Sequence, residues 1–302
     1  MNKKPSIYLI LGAFAAIYFI WGSTYLFVRI LVMEMPPFLM AGIRFLIAAL
    51  IIFTFILIKG GSIKISKQEW KSTFIAGTAF LTIGNGLMTL SLKYIDSYLA
   101  ALLVAAQPLI LLVMMRIWDK KPMKSTSIIG VLLGFLGMYL LVSQDELLDS
   151  QSKIWAMCLV GICLLSWGFG SMYVGRAKLP ENFFLSTGYQ MIIAAFSLLT
   201  ISVILGEKTS TVVGLSSNGW MSMIYLSFFG SVIAFTSFNF LLKYISPEKV
   251  ATSTYVNPIV AAILGFLVLE ESITLQTNIA AAILLTGVYF INVSKRKRKN
   301  IA

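Results

Sequence analysis

A chain of 302 residues that is 58% hydrophobic and 12% charged, with a mean hydropathy of +0.88, is too apolar for a water-soluble domain and belongs in a bilayer. It has no histidine and two cysteines, Cys158 and Cys163. This removes the commonest metal ligand and neutral-pH base, leaves no basis for a disulfide framework, and calls for no cofactor. A net charge of +12 points to nucleic acid or an acidic surface only when the cations share a face, and here they lie between apolar runs.

In chain order, Lys3 and Lys4 precede an apolar run containing Ala13-Phe14-Ala15, the outline of a secretory signal with a small-residue cleavage site. The run continues to Val28, long enough to span, so it reads as a retained first helix. Cutting at charged and Gly/Pro/Asn/Ser clusters leaves ten apolar segments: 7–30, 37–58, 72–91, 97–116, 125–143, 154–174, 183–205, 220–242, 249–269 and 273–293. Each has about the 20 residues that cross a ~30 Å hydrocarbon layer. The expectation is an all-α polytopic membrane protein of ten transmembrane helices with short loops.

The loop cations orient it. With a cytoplasmic N-terminus, nineteen Lys and Arg face the cytoplasm, from Lys3 through Lys59, Arg116, Lys178 and Lys243 to the tail Lys295–Lys299. Only Lys93, Lys153, Lys208 and Arg29, the last expected to snorkel, remain for the far side. Both termini are therefore expected in the cytoplasm of a multi-pass protein of the inner or plasma membrane. Acidic residues gather at the far side, in Glu34, Asp96, Asp145, Glu146, Asp149, Glu207, Glu270 and Glu271. The basic tail reads as a cytoplasmic anchor, not as a nucleic-acid contact.

The sequence also repeats. Leu92-Lys93-Tyr94-Ile95 leads through an apolar run to Gln107-Pro108, and Leu242-Lys243-Tyr244-Ile245 leads likewise to Asn257-Pro258, 150 positions later. The same offset relates Gly137 to Gly287 and Tyr139 to Tyr289; an offset of 146 relates Trp21-Gly22 to Trp167-Gly168 and Gly42 to Gly188. Two units, 1–147 and 148–302, follow. Five helices per unit is an odd number, so the second unit enters the membrane inverted, an architecture recurrent in secondary transporters.

Several features together resemble the EamA-type members of the drug/metabolite transporter superfamily. They are Trp21-Gly22-Ser23 with Tyr25 in the first helix, Arg44-Phe45 in the second, proline in the fourth and ninth, Glu270 closing the ninth, and the five-plus-five plan. The resemblance spans the whole chain. It implies a secondary transporter and leaves the cargo open.

Candidate pathway residues follow from what a bilayer makes costly. Pro108 and Pro258 break hydrogen bonding in mid-helix, so Gln107 and Asn257 before them are expected at a midplane site, packing kinks being the alternative. Arg44 lies about 12 Å into the second helix with no intramembrane carboxylate to pair it. It binds an anionic group of the cargo or caps broken-helix carbonyls; both readings stand. Trp21 and Trp167, with Tyr25, Tyr173 and Tyr255, are expected to supply a flat amphipathic wall. Ser23, Asn85, Gln190, Asn239, Ser253 and Thr254 are polar residues deep in helices that line the path or join helices. Gly130, Gly134 and Gly137 permit close helix packing, within the chain or at a homodimer face.

No Asp, Glu or His stands near a helix centre, so no proton relay is visible, although Glu270 becomes a candidate if the ninth helix enters deeper. The expected function is secondary transport, as exporter or exchanger, of small metabolites such as amino acids by alternating access between the units. The expected partners are the cargo and the lipid bilayer, without nucleic acid or metal. A membrane enzyme on lipid-linked substrates would need an acid, histidine or metal cluster that is absent here; a non-transporting sensor would not need an inverted duplication.

Overall fold

The structure is a computed structural model and describes residues 5–120, 125–144, 150–271 and 273–296. In chain order the apolar helices are α1 (Ile7–Glu34), α2 (Pro37–Ile58), α3 (Lys67–Ser91), α4 (Ser97–Trp118), α5 (Ser125–Val142), α6 (Gln151–Val174), α7 (Phe183–Ile204), α8 (Ser217–Tyr244), α9 (Ser253–Leu269) and α10 (Leu275–Arg296). Among the described residues seven of these, all but α5, α9 and α10, are long and apolar enough to cross a membrane, and there is no strand. Only helices satisfy every backbone group within one segment, which is what lipid demands of a polytopic chain.

Helix starts follow local chemistry. α3 begins ahead of its apolar run because Ser66 and Glu69 form a reciprocal capping box: Ser66 N donates to Glu69 Oε2 at 2.7 Å and Glu69 N to Ser66 Oγ at 3.3 Å. The polar turn at 67–71 is thereby held helical although hydropathy alone starts the segment at 72. Asn182 caps α7 in the same local way.

Three helices widen into π turns: α1 over Ala16–Ile20, α3 over Thr78–Asn85 and α8 over Leu226–Phe235. Such turns leave carbonyls for side chains to satisfy and concentrate at functional sites. Two further paths are interrupted ahead of a proline. α4 turns at Ala105 and Ala106 before resuming at Gln107, and a 3₁₀ stretch, Ala251–Tyr255, precedes Asn257. Pro108 and Pro258 thus stand in the first turn of the resumed helix, where a missing N–H costs nothing. Both resumed helices also stop alike, at residues of left-handed conformation, Lys120 (φ 51°) and Glu270 (φ 54°), 150 positions apart.

Two apolar cores fill the bundle. One joins the later halves of α1 and α3 to α4 and α6 around Leu31, Leu99 and Val160; the other joins α2, α3, α7 and α8 around Phe45, Phe80 and Leu241. α5 lies against α10 at backbone contact: a Cβ on Gly137 would stand 2.6 Å from Leu284 N, and one on Gly287 2.6 Å from Gly130 O. The small-residue face of α5 is therefore used within the chain, which removes it as the basis for a dimer. Gly287→Val should cost about 1–3 kcal/mol and lower the thermal midpoint in detergent by roughly 3–8 °C. Gly12→Val, at a position with nothing within 4 Å, is the control and should leave the midpoint in place.

Candidate functional site

A cavity enclosing about 930 Å³ of empty space, mouth included, lies where the two cores meet. The first five helices contribute Trp21, Thr24, Tyr25, Arg44, Asn85, Thr89 and Gln107; the last five contribute Cys163, Trp167, Ser171, Phe238, Ser253, Thr254 and Asn257. Among the described lining residues there is no Asp, Glu or His, and no cluster able to hold a metal ion is found among the described residues.

The helix irregularities position these side chains. The wide turn of α1 loosens the carbonyls of Ile17 and Tyr18. The Asn257 amide, its nitrogen turned toward them, donates to Tyr18 O at 2.9 Å and Ile17 O at 3.2 Å, and to Ser253 O in its own strand of chain at 3.1 Å. Gln107 Nε2 makes the corresponding bond to Leu164 O of α6 at 3.2 Å. Gln107 and Asn257 are 150 positions apart and Tyr18 and Leu164 are 146 apart, the two offsets at which the sequence repeats. The other wide turns are served similarly. Ser166 Oγ donates to Ala79 O of α3 at 2.7 Å, and Trp21 Nε1 to Gly230 O of α8 at 3.3 Å. Each wide turn thus lends a carbonyl to a side chain from the other five-helix half, so the halves are stitched together around the cavity.

Among the described lining residues Arg44 is the one charged side chain. It is 3% exposed; its Nε donates to Ser231 Oγ at 2.8 Å and its guanidinium sits 5.1 Å from the Phe45 ring centroid. The ion pair found among the described residues is elsewhere, Arg29 with Asp96 at 3.7 Å, so no described carboxylate neutralises Arg44. Arg29 also donates to Leu92 O and ties α1 to the loop after α3. A buried cation in lipid without a counter-charge is expensive and is kept where it faces a cavity.

An aromatic wall completes the site. Trp21 and Trp167 meet edge to face with centroids 5.6 Å apart, and Phe238 lies 5.1 Å from the first and 5.2 Å from the second. Phe80 backs Trp167 at 4.9 Å. A flat apolar wall facing a single cation suits a ligand with an apolar body and one anionic group.

Of the residues singled out from sequence, Trp21, Tyr25, Arg44, Asn85, Gln107, Trp167 and Asn257 come together here, and Ser253 and Thr254 join them. Ser23, Tyr173, Gln190, Asn239 and Tyr255 lie outside the lining. Ser23 shares a 2.7 Å bond with Tyr225 where α1 meets α8; Asn239 Nδ2 donates to Thr187 Oγ1 at 3.0 Å between α8 and α7, with Gln190 beside it on Ser186. These polar groups join helices. Tyr173 stacks on Phe169, rotated off the face that Trp167 and Ser171 share one turn apart. Glu270 is exposed at the end of α9, clear of the cavity.

Sequence reasoning passed over Thr24, Thr89, Cys163 and Ser171. Each stands one helical turn from a residue it did select, respectively Trp21, Asn85, Trp167 and Trp167, so projecting i±3 and i±4 neighbours would have found them.

Comparison with known proteins agrees with this architecture. The model of the EamA-like transporter family matches twice, at residues 6–143 and 154–293. The inner membrane transporter YedA of Escherichia coli is 33% identical over 285 residues, covering 94% of this chain and 90% of its own. A WAT1-related chloroplastic protein of Arabidopsis thaliana is 25% identical over 283 residues, covering 91% of this chain and 67% of its own. A chain of known crystal structure, 19% identical, superposes with a TM-score of 0.70 over 96% of this chain and 99% of its own length, which shows a shared fold.

Proposed function

The chain belongs to the EamA-like transporter family, and from that membership we propose a secondary transporter that exports or exchanges small metabolites such as amino acids. In this reading ten transmembrane helices form two inverted units, 1–147 and 148–302, with both termini in the cytoplasm. The cavity between them opens alternately to either side of an inner or plasma membrane. The observation that carries it is the composition of the cavity: both halves line it, and its described lining residues include one cation, Arg44, with no described carboxylate beside it and none to relay protons. Further support comes from the paired amides of Gln107 and Asn257 and the matched exits at Lys120 and Glu270. The inner-membrane placement rests on the name that YedA carries.

The cargo's anionic group is assigned to Arg44 and its apolar body to Trp21, Trp167 and Phe238, with the hydroxyls of Thr24, Ser171 and Thr254 available for its remaining polar groups. Without a titrating carboxylate among the described lining residues, flux should run down the cargo's own gradient or against a counter-cargo. The test is uptake by proteoliposomes of a panel of radiolabelled amino acids and other small metabolites, with and without a pH gradient and a membrane potential. Saturable uptake of a zwitterion or anion that ignores the pH gradient supports the reading. A strict requirement for a proton gradient overturns its coupling, and uptake of nothing returns the chain to the sensor and lipid-enzyme alternatives.

A further inference from the structure

Three carboxylates outside the cavity join the two five-helix halves at one end of the bundle. Glu34, the last residue of α1, accepts from Ser216 N at 2.9 Å and Ser216 Oγ at 2.7 Å, where α8 begins. Glu207, just beyond α7, accepts from Phe38 N at 3.3 Å and Leu39 N at 2.7 Å at the start of α2. Glu271, just beyond α9 and only 8% exposed, accepts from Ser97 N and Ser97 Oγ, both at 2.8 Å, and Tyr98 N at 3.3 Å at the start of α4. Because successive helices alternate in direction, all six of these helix ends fall on one face. The N–H groups of a helix's first turn have no partner of their own, and a carboxylate is the strongest acceptor for them.

The other end is built differently. There α3 and α7 are capped from within their own first turns, by Ser66 with Glu69 and by Asn182. A bond that crosses the halves there, Tyr189 Oη to Ile63 O at 2.7 Å, is neutral, and Lys178 of the last five helices acts on Glu69 of the first five through its charge. The cavity lining follows the same polarity. Toward the carboxylate end its floor is Leu92, 1% exposed and fixed through its carbonyl by Arg29; toward the other end it reaches Pro247 and Ala251, both partly exposed.

We infer that Glu34, Glu207 and Glu271 are the gate of one cavity mouth, and that this conformer is closed at their end and accessible from the other. The inference rests on the alternating-access reading above. To open the carboxylate mouth, the halves must part there, and the three sets of cross-half bonds break together. Water then takes the freed N–H groups, so the gate holds by the difference between carboxylate and water at three helix starts. The gate residues act on the equilibrium between facings and touch no cargo.

The test is hydrogen–deuterium exchange with mass spectrometry on the full chain in lipid nanodiscs, comparing the wild type with Glu34→Gln/Glu207→Gln/Glu271→Gln. Glutamine keeps the shape and an acceptor but loses the charge. The expected result is reciprocal. Amides in the first turns of α2, α4 and α8 exchange about tenfold faster, while those around Pro247–Val250 exchange more slowly as the population moves to the opposite facing. Faster exchange at both ends, or a change confined to the three helix starts, overturns the inference and leaves the carboxylates as caps. If the triple variant does not fold, Glu34→Gln alone, at a partly exposed position, gives the same signed comparison. Proteoliposome flux of the wild type separates the two failures: flux with no reciprocal change sinks the gate alone, whereas absence of flux sinks the transport reading beneath it.

Discussion

Arg44→Met cuts uptake by about 10- to 100-fold in kcat/KM while leaving the protein at least as stable as the parent. The first half of this expectation follows from the loss of a charge-assisted contact to the cargo, of order 1.5–3 kcal/mol. The second follows from burial. A 3%-exposed guanidinium with no described carboxylate beside it costs roughly 3 kcal/mol to hold at membrane depth, and methionine fills similar volume without that cost. Ser231 loses one donor but retains its hydroxyl for a helix carbonyl. Arg44→Lys should keep part of the flux, since a point charge replaces a planar fork. Uptake normalised to reconstituted protein, together with thermal unfolding, decides between the two roles open for this residue. A thermal midpoint several degrees lower, with flux lost in proportion, would show that Arg44 is a strut holding α2 to α8 and not a cargo ligand.

Asn257→Leu should lose both stability and flux, and Gln107→Leu should lose less of each. Asn257 shares its two amide hydrogens among three carbonyls, two of them loosened by the wide turn of α1, whereas Gln107 closes one bond onto α6. With interhelical bonds in membranes worth about 1 kcal/mol, the expected costs are about 2–3 kcal/mol for the first variant and about 1 kcal/mol for the second. Flux should fall further than stability in both, because the bonds cross between the halves that must move. The measurement is the thermal midpoint and the initial uptake rate for each single variant and for the double. The two sites share no partner, so their stability effects should add. Were Asn257→Leu to match the parent in both readouts, its amide would not be holding α1, and the correspondence with Gln107 would carry no mechanical meaning.

How much of this was legible in the chain differs from residue to residue. The interruptions at Gln107-Pro108 and Asn257-Pro258 were readable because proline's missing N–H is a local fact, and the structure puts both at the cavity. Trp21 and Trp167 were readable because a tryptophan fourteen residues into a helix is out of place for the interface. Ser23, Gln190 and Asn239 were not separable from Asn85 by any such rule. All four are polar groups deep in apolar helices, and only the neighbour each meets distinguishes a helix join from a cavity wall. The sequence alone did not show that Asp96 and Leu92 O are the partners of Arg29.

By itself the sequence determined the class of molecule, the approximate limits of its apolar segments, and the places where two helices break. Each of these depends on the bilayer's thickness or on the chemistry of one residue and its near neighbours. Only the tertiary structure decided which face of each helix looks inward, where α1, α3 and α8 widen, and which distant carboxylate serves which helix start. A membrane helix is apolar on all sides, so no amphipathic stripe marks its inner face. The partners of the wide-turn carbonyls and of the carboxylate-capped first turns lie, in this chain, from 87 to more than 200 residues away.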